Sequence, residues 1–174
     1  NILMSAKKRS RDEILGNLKH FGNAKVKKLG LYEGEYLCID GSEIPDPIER
    51  LKVEGFGSAE LEISSWDGSL ELTGDLYAKL EDVFDVEVDT TRGCIFDCMA
   101  CERVRVICGS TGRLVECRQV DLYDLTDTEL WFCGRVEAYD SAHFRACKDS
   151  RVMLFDHANG DFYSDSSGVL LDNS

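Results

Sequence analysis

Three closely spaced cysteines form the motif in this chain that is best suited to chemistry. The segment Cys94-Ile-Phe-Asp-Cys98-Met-Ala-Cys101 has the spacing C-x3-C-x2-C. Cysteine thiolates ligate zinc or the irons of a [4Fe–4S] cluster, and a tetrahedral zinc site needs a fourth ligand. Cys108 is the nearest candidate for that fourth position. These four cysteines are therefore the candidate metal ligands of the sequence.

The spacing of the first three cysteines resembles the cluster-binding loop of radical SAM enzymes, which implies iron–sulfur chemistry. Those enzymes use a longer α/β barrel, whereas Cys101 belongs to a series with Cys117 and Cys133 at intervals of sixteen residues. Such a series is typical of structural positions in a repeat. We therefore interpret the cysteines as reduced, buried, small hydrophobic residues and expect no metal and no cofactor. A zinc or iron–sulfur site is the alternative.

Two further series at the same interval place acidic side chains next to aromatic ones. The aspartates are Asp124, Asp140 and Asp156, and the aromatic residues directly before them are Tyr123, Tyr139 and Phe155. Equivalent residues of a repeat stack, so we expect an acidic stripe beside an aromatic stripe, which would suit a protein interface. Three alternatives stay open: the aspartates serve turns, they hold a cation between them, or the aromatic residues form a packing ladder.

No other combination of residues in the sequence predicts catalysis. The three histidines, His20, His143 and His157, have no spacing that suggests a catalytic triad, and no serine stands in a nucleophile elbow. The sequence also contains neither a phosphate-binding loop nor a dinucleotide-binding fingerprint. We therefore expect that the protein is not an enzyme.

The elements that must position these residues form a repeat of sixteen residues. Valine or leucine recurs at this interval until a glycine ends the series: Leu72, Val88, Val104, Val120, Val136, Val152 and Gly168. A finer period of eight places a short apolar–charged–apolar strand before a stretch rich in Asp, Ser and Gly. We predict an all-β fold, a single-chain parallel β-solenoid with about 16 residues per rung. Twenty-four residues per rung is the alternative.

One segment carries a resemblance to known repeat proteins. Residues 136–143, Val-Glu-Ala-Tyr-Asp-Ser-Ala-His, resemble the V-x-A-x-D-S-A-x octapeptide repeats of bacterial and phage β-helix proteins. The resemblance implies a β-helical scaffold, usually without catalysis, and no particular ligand. A second series of small residues at the sixteen-residue interval suits the crowded corner of a narrow coil. Its members are Ala78, Cys94, Ser110, Thr126, Ala142 and Ala158.

The first third of the chain does not follow the period. We predict that residues 1–55 form a small N-terminal α/β cap on a solenoid of residues 56–174, which covers the strand edges that would otherwise associate. Ser10 and Glu13 have the spacing of a capping box and predict a short basic helix from Ser10 to His20.

Charge is distributed unevenly along the chain. Residues 1–28 contain eight basic and two acidic residues, a net charge of +6, so the remainder carries −19 of the total of −13. An acidic body repels nucleic acid and anionic membrane and attracts a basic protein surface. No apolar run is long enough to predict a transmembrane helix.

These observations predict a cytoplasmic, non-catalytic scaffold that binds another protein through an acidic and aromatic face. The alternative is an acidic mimic of nucleic acid that inhibits a DNA- or RNA-binding enzyme, as in phage anti-defence proteins, because carboxylates repeated along a narrow rod can occupy a basic channel. We expect no direct binding to membranes or nucleic acid. The oligomeric state stays open, with end-to-end assembly as one alternative.

Overall fold

The computed structural model describes residues 8–19, 26–44, 48–89, 94–107, 110–124 and 126–171. These described residues contain one helix, α1 (Arg11–Lys19), a 3₁₀ turn at Gly41–Glu43, and thirteen strands. The strands are β1 (Val26–Tyr32), β2 (Tyr36–Asp40), β3 (Arg50–Asp89), β4 (Ile95–Met99), β5 (Arg103–Ile107), β6 (Thr111–Val115), β7 (Gln119–Tyr123), β8 (Asp127–Trp131), β9 (Arg135–Ala138), β10 (His143–Lys148), β11 (Arg151–Phe155), β12 (Asn159–Phe162) and β13 (Ser167–Leu171). No helix in the described ranges is long and apolar enough to cross a membrane.

The strands stack on two faces that meet at β3. On face A, β4, β6, β8, β10 and β12 stack in this order on residues 77–81 of β3. On face B, β5, β7, β9, β11 and β13 stack on residues 85–89. Consecutive strands alternate between the faces, so the chain coils into a parallel β-solenoid of about six turns with roughly 16 residues per rung. The predicted fold is confirmed.

The interval between stacked residues shortens along the rod. Val26 of β1 pairs with Arg50 of β3, an interval of 24 residues. Tyr77 of β3 pairs with Ile95 of β4, an interval of 18 residues, and Ile95 then pairs with Thr111 of β6, an interval of 16. All three intervals are even, so the alternation of inward and outward side chains is preserved. The early turns thus use longer rungs than the regular repeat.

The longer interval corrects two series that the sequence suggested. The valine series is confirmed from its third member onward, with Val104, Val120, Val136, Val152 and Gly168 stacked in register. Val88 does not precede them, because Val104 pairs with Val86. The same shift pairs Ala78 with Phe96 and removes Ala78 from the corner series, whose other members are all buried. Eighteen residues, rather than sixteen, separate the stacked positions there.

The narrow interior is filled by side chains of complementary size on successive turns. Gly112 stacks on Phe96, and a Cβ atom on Gly112 would lie 2.4 Å from the Phe96 ring. Gly160 stacks on Phe144, where the corresponding distance is 2.3 Å. Thr128 lies between these two pairs and is fully buried. Glycine is therefore needed at these two positions, because the neighbouring ring occupies the space of a side chain.

Helix α1 covers the N-terminal end of the rod. The Glu13 backbone N–H donates to Ser10 Oγ at 3.2 Å, and the Ser10 hydroxyl donates to the Glu13 carboxylate at 3.3 Å, so the predicted helix start is confirmed. Ile14 is fully buried in the common core. His20, the predicted end of the helix, lies outside the described residues. An apolar residue of the helix thereby seals the first turn of the solenoid.

Two arginines at the start of α1 each bind one carbonyl oxygen of the first strands. Arg9 Nη2 donates to Gly30 O at 2.7 Å, and Arg11 Nε donates to Cys38 O at 2.8 Å. Arg9 also forms two 2.8 Å hydrogen bonds with the buried carboxylate of Glu35. This partnership holds the pKa of Glu35 down to about 2, chiefly through the hydrogen bonds from Arg9. One backbone carbonyl of β1 and one of β2 are thus bound by side chains, which hinders the addition of another strand.

The C-terminal end of the rod is formed by β12 and β13, and no described strand pairs with their outer edges. Leu170 occupies an inward position and is nevertheless 68% exposed, whereas Leu122 and Ala138 in the same column are fully buried. Phe162 fills part of the interior, since a Cβ atom on Gly168 would lie 2.3 Å from its ring. The last turn therefore leaves core positions open.

Candidate interaction surface

An outward apolar column runs along one edge of face B. The rings of Tyr123 and Tyr139 stack with centroids 4.9 Å apart, and those of Tyr139 and Phe155 stack at 4.7 Å. Strand register adds Ile107 before Tyr123 and Leu171 after Phe155. We call these five residues the aromatic column. Their spacing equals the distance between paired strands, so each ring covers one side of its neighbours and keeps its outer edge in solvent.

Charged side chains form a row beside the aromatic column. The Tyr139 hydroxyl donates to the Glu137 carboxylate, which also accepts hydrogen bonds from Arg135. Burial, reinforced by the hydrogen bond to Glu137, raises the pKa of Tyr139, so its phenol stays neutral. Asp121 stacks next to Glu137, and burial together with that like charge raises the pKa of Asp121. The Tyr139 hydroxyl is thus anchored by Glu137, which is itself bound by Arg135.

The three aspartates of the predicted acidic stripe lie at a corner of the coil. Asp124, Asp140 and Asp156 follow directly after the aromatic residues and have φ angles of 52°, 55° and 54°. Aspartate adopts this left-handed conformation more readily than most residues, which explains its recurrence at the corner. All three side chains are exposed. We call them the acidic row; it runs parallel to the aromatic column at a rise of about 4.8 Å per turn.

Strand β4 separates Cys94 from Cys101, whereas the side chains of Cys98 and Cys101 are hydrogen-bonded to each other. Cys94 precedes β4 at one corner, Cys98 faces the interior, and Cys101 follows β4 at the opposite corner. Each residue of an extended strand adds about 3.3 Å, so roughly 20 Å of chain separates the first from the last. Cys108 lies outside the described residues. Among the residues that the structure does describe, no three His, Cys, Asp or Glu side chains could together hold a metal ion.

The buried cysteines contact one another and the backbone of neighbouring turns. The Cys117 thiol is hydrogen-bonded with those of Cys101 and Cys133, and it donates to Cys98 O at 3.7 Å. The neighbouring thiols and burial raise the pKa of Cys117, and burial raises the pKa of Cys94 to about 12. Cys94 and Cys117 are therefore protonated at neutral pH, and a protonated thiol is neither a strong nucleophile nor a ready metal ligand. Hydrogen bonds from Cys117 and Cys98 instead lower the pKa of Cys101 to about 4.

Face A carries a charge pattern that interpretation of the sequence missed. The middle outward positions of its stacked strands alternate in sign: Lys79, Asp97, Arg113, Glu129, Arg145 and Asp161. Arg113 Nη2 lies 2.8 Å from Asp97 Oδ2, and Arg145 Nη2 lies 3.2 Å from Glu129 Oε1, so both are ion pairs. We call this series the charge ladder. Because neighbours compensate one another, the middle of face A offers little net charge to a partner.

Negative charge is instead concentrated in the early turns. Residues 33–89 contain 17 acidic residues against three basic ones. Some are paired, as where Glu71 lies 3.3 Å from Lys52 and 3.5 Å from Arg50. A groove of about 380 Å³ in this region is lined by Glu71, Asp85 and Glu87 among others. The acidic body inferred from composition is therefore mainly the part of the rod nearest the cap.

No known family model, curated protein or solved structure matches this chain. The function must therefore be inferred from the surfaces of the solenoid.

Proposed function

We propose that this protein is a non-catalytic solenoid scaffold that binds another protein through the aromatic column and the acidic row. The aromatic column carries the proposal. Its three rings are already stacked and Tyr139 is also hydrogen-bonded to Glu137, so the rings lose little conformational freedom on binding. Tyrosine is enriched in protein interfaces because its ring gives apolar contact while its hydroxyl stays hydrogen-bonded.

The geometry favours a particular kind of partner segment. The three stacked rings span two turns, about 10 Å, which suits a short extended segment or one face of a helix. The acidic row beside the rings favours lysine or arginine on the flank of that segment, because complementary charge fixes orientation and speeds association. A partner with apolar residues bordered by basic ones is therefore expected.

The test places a photo-crosslinking amino acid at Tyr139 in the native cell and identifies what it captures. The matched control places it at Tyr77 on face A, an exposed aromatic residue outside the aromatic column. We expect one protein to be captured at position 139 only. The purified partner should then bind a variant with Tyr123, Tyr139 and Phe155 all changed to serine at least tenfold more weakly. Equal capture at both positions, or unchanged affinity, would contradict the proposal.

The many acidic residues between positions 33 and 89 favour a second candidate function, in which the protein mimics nucleic acid and inhibits an enzyme that binds it. Carboxylates repeated along a rod can compete with phosphates for a basic channel. Such binding should weaken steeply between about 50 mM and about 500 mM salt and should be displaced by DNA or RNA. Affinity that does not change over that range would exclude mimicry and leave the aromatic column as the binding surface.

A further inference from the structure

The charge ladder ends on an acidic residue at the open end of the rod. Asp161 of β12 has Arg145 of β10 on one side, and its other side faces the free edge of β12. From Asp97 to Arg145, every member of the charge ladder has an opposite charge on both sides. Opposite charges at directly paired positions stabilise a sheet and like charges destabilise it. A basic side chain above Asp161 would therefore continue the pattern.

The backbone and interior at this end are also suited to an added strand. Within the described chain, nothing pairs with the outer edge of β12, so its backbone groups can accept a partner. Phe162 of β12 and Leu170 of β13 point inward, and Leu170 is 68% exposed. An open strand edge next to uncovered apolar side chains is the arrangement that proteins use to bind peptides by strand addition. The N-terminal end is less open, since Ile14 covers its core and Arg9 and Arg11 each bind one carbonyl of its strands.

We propose that the free edge of β12 binds an extended segment of a partner protein by strand addition. The segment carries Lys or Arg at the position above Asp161. Inward and outward positions alternate along a strand, so the residues on either side of this Lys or Arg face the interior. Residues that face the interior are expected to be apolar. The recognised pattern is thus apolar–basic–apolar. This site shares no residue with the aromatic column or the acidic row, so either proposal can fail while the other stands.

A second copy of the chain fits this edge less well. Residues 159–171 contain two acidic residues, Asp161 and Asp165, and no basic one. Two copies that met through their β12 edges would bring two Asp161 carboxylates close together without compensation, which destabilises the pairing. The opposite end of a second copy is covered by α1, so head-to-tail stacking is blocked as well. The charge at the edge therefore selects a foreign, basic segment.

The experiment uses a fluorescent peptide that copies residues 103–107, Arg-Val-Arg-Val-Ile, which has the expected pattern around Arg105. Its control peptide carries glutamate in place of Arg105. Anisotropy should show that the protein binds the basic peptide at least fivefold more tightly. Asp161→Lys should reverse this preference, and Asp161→Asn should abolish it if the lysine variant does not fold. Asp67→Lys, an exposed position near the capped end, should leave the preference unchanged.

Hydrogen exchange gives a second readout at the same edge. At millimolar basic peptide, amides of residues 159–162 should exchange more slowly, whereas those of β1 should not change. The proposal is overturned if neither peptide protects these amides at that concentration, or if Asp161→Lys leaves the preference for the basic peptide intact. It is equally overturned if sedimentation shows an end-to-end dimer of the unmodified protein that Asp161→Asn strengthens, since that result assigns the edge to a second copy.

Discussion

At the N-terminal end of the solenoid, a helix and two arginines cover the first strands, whereas at the C-terminal end the last described strands have free edges. The buried Ile14 and the exposed Leu170 make the same contrast in the interior. Covering an end therefore takes two things at once, an apolar side chain over the core and donors directed at the edge carbonyls. Strand edges left without both are available to other chains.

The largest effect is expected from removing the buried partner of Arg9. Glu35→Ala leaves the guanidinium without its carboxylate and frees the Tyr32 backbone N–H, which donates to Glu35 at 2.8 Å. Breaking a buried ion pair from one side costs about 3–5 kcal/mol, measured as the free energy of unfolding in urea. Glu33→Ala, at an exposed position two residues away, should cost less than about 0.5 kcal/mol.

The same variant should make the two ends of the rod alike. If the cap opens when Glu35 is lost, the edges of β1 and β2 become free, and sedimentation should show concentration-dependent association that the Glu33 variant lacks. Equal stability of the two variants would contradict the role assigned to the Arg9–Glu35 pair.

Lowering the pH is expected to have a smaller effect on the free energy of unfolding. The pKa of Glu35 is about 2 in the folded protein, below its ordinary value of 4.5. A lowered pKa stabilises the fold fully above about pH 4.5, and that contribution is lost as the pH falls toward 2. At about 1.4 kcal/mol per pKa unit it amounts to about 3 kcal/mol. Urea midpoints measured from pH 6 to pH 2 should fall more steeply for the native sequence than for Glu35→Gln, and parallel curves would refute this.

Packing at the two glycines should distinguish the middle of the rod from its open end. Gly112→Ala places a methyl group against Phe96 between two complete turns, and overpacking of this kind costs about 1–3 kcal/mol. Gly160→Ala makes the same clash with Phe144, but its turn is the last described one on face A and can move outward. We expect less than half the cost there. Thermal unfolding measures both, and Phe96→Leu should partly restore the Gly112 variant.

The smallest effect is expected at the open end itself. Leu170→Ala removes a side chain that is already 68% exposed and should cost less than about 0.5 kcal/mol. Leu122→Ala, in the same inward column but fully buried, should cost about 2–5 kcal/mol. Urea unfolding of the two variants compares them directly. Similar costs at both positions would show that the C-terminal end is covered in solution.

The regular half of the fold could be predicted because its stacked positions repeat the same residue type. The identical residues Val104 and Val120, sixteen positions apart, predict that these positions stack, and Tyr123 and Tyr139 do the same. The early turns could not be predicted in this way, since intervals of 24 and 18 residues leave no common period while they keep the same inward and outward pattern. A shift that preserves this alternation changes which residues pair without disturbing burial.

Contacts between residues of different types could not be predicted from the sequence either. Phe96 over Gly112, and Arg113 beside Asp97, follow the repeat as faithfully as the valines do. A search for identical residues at a fixed interval does not find these contacts, because the stacked residues are complementary in size or charge rather than alike. The contacts of Arg9 and Arg11 depend on the direction of backbone carbonyls, which a basic helix in the sequence does not reveal.

The charge ladder has a consequence for how the chain reaches its structure. A solenoid of similar turns risks skipping one turn during folding, so that β8 pairs with β4 instead of β6. That error would bring Glu129 against Asp97, and the corresponding slip one turn later would bring Arg145 against Arg113, so both mistakes oppose like charges. The alternating sign of charge along the ladder therefore favours pairing of each strand with its immediate neighbour over pairing with the strand one turn beyond.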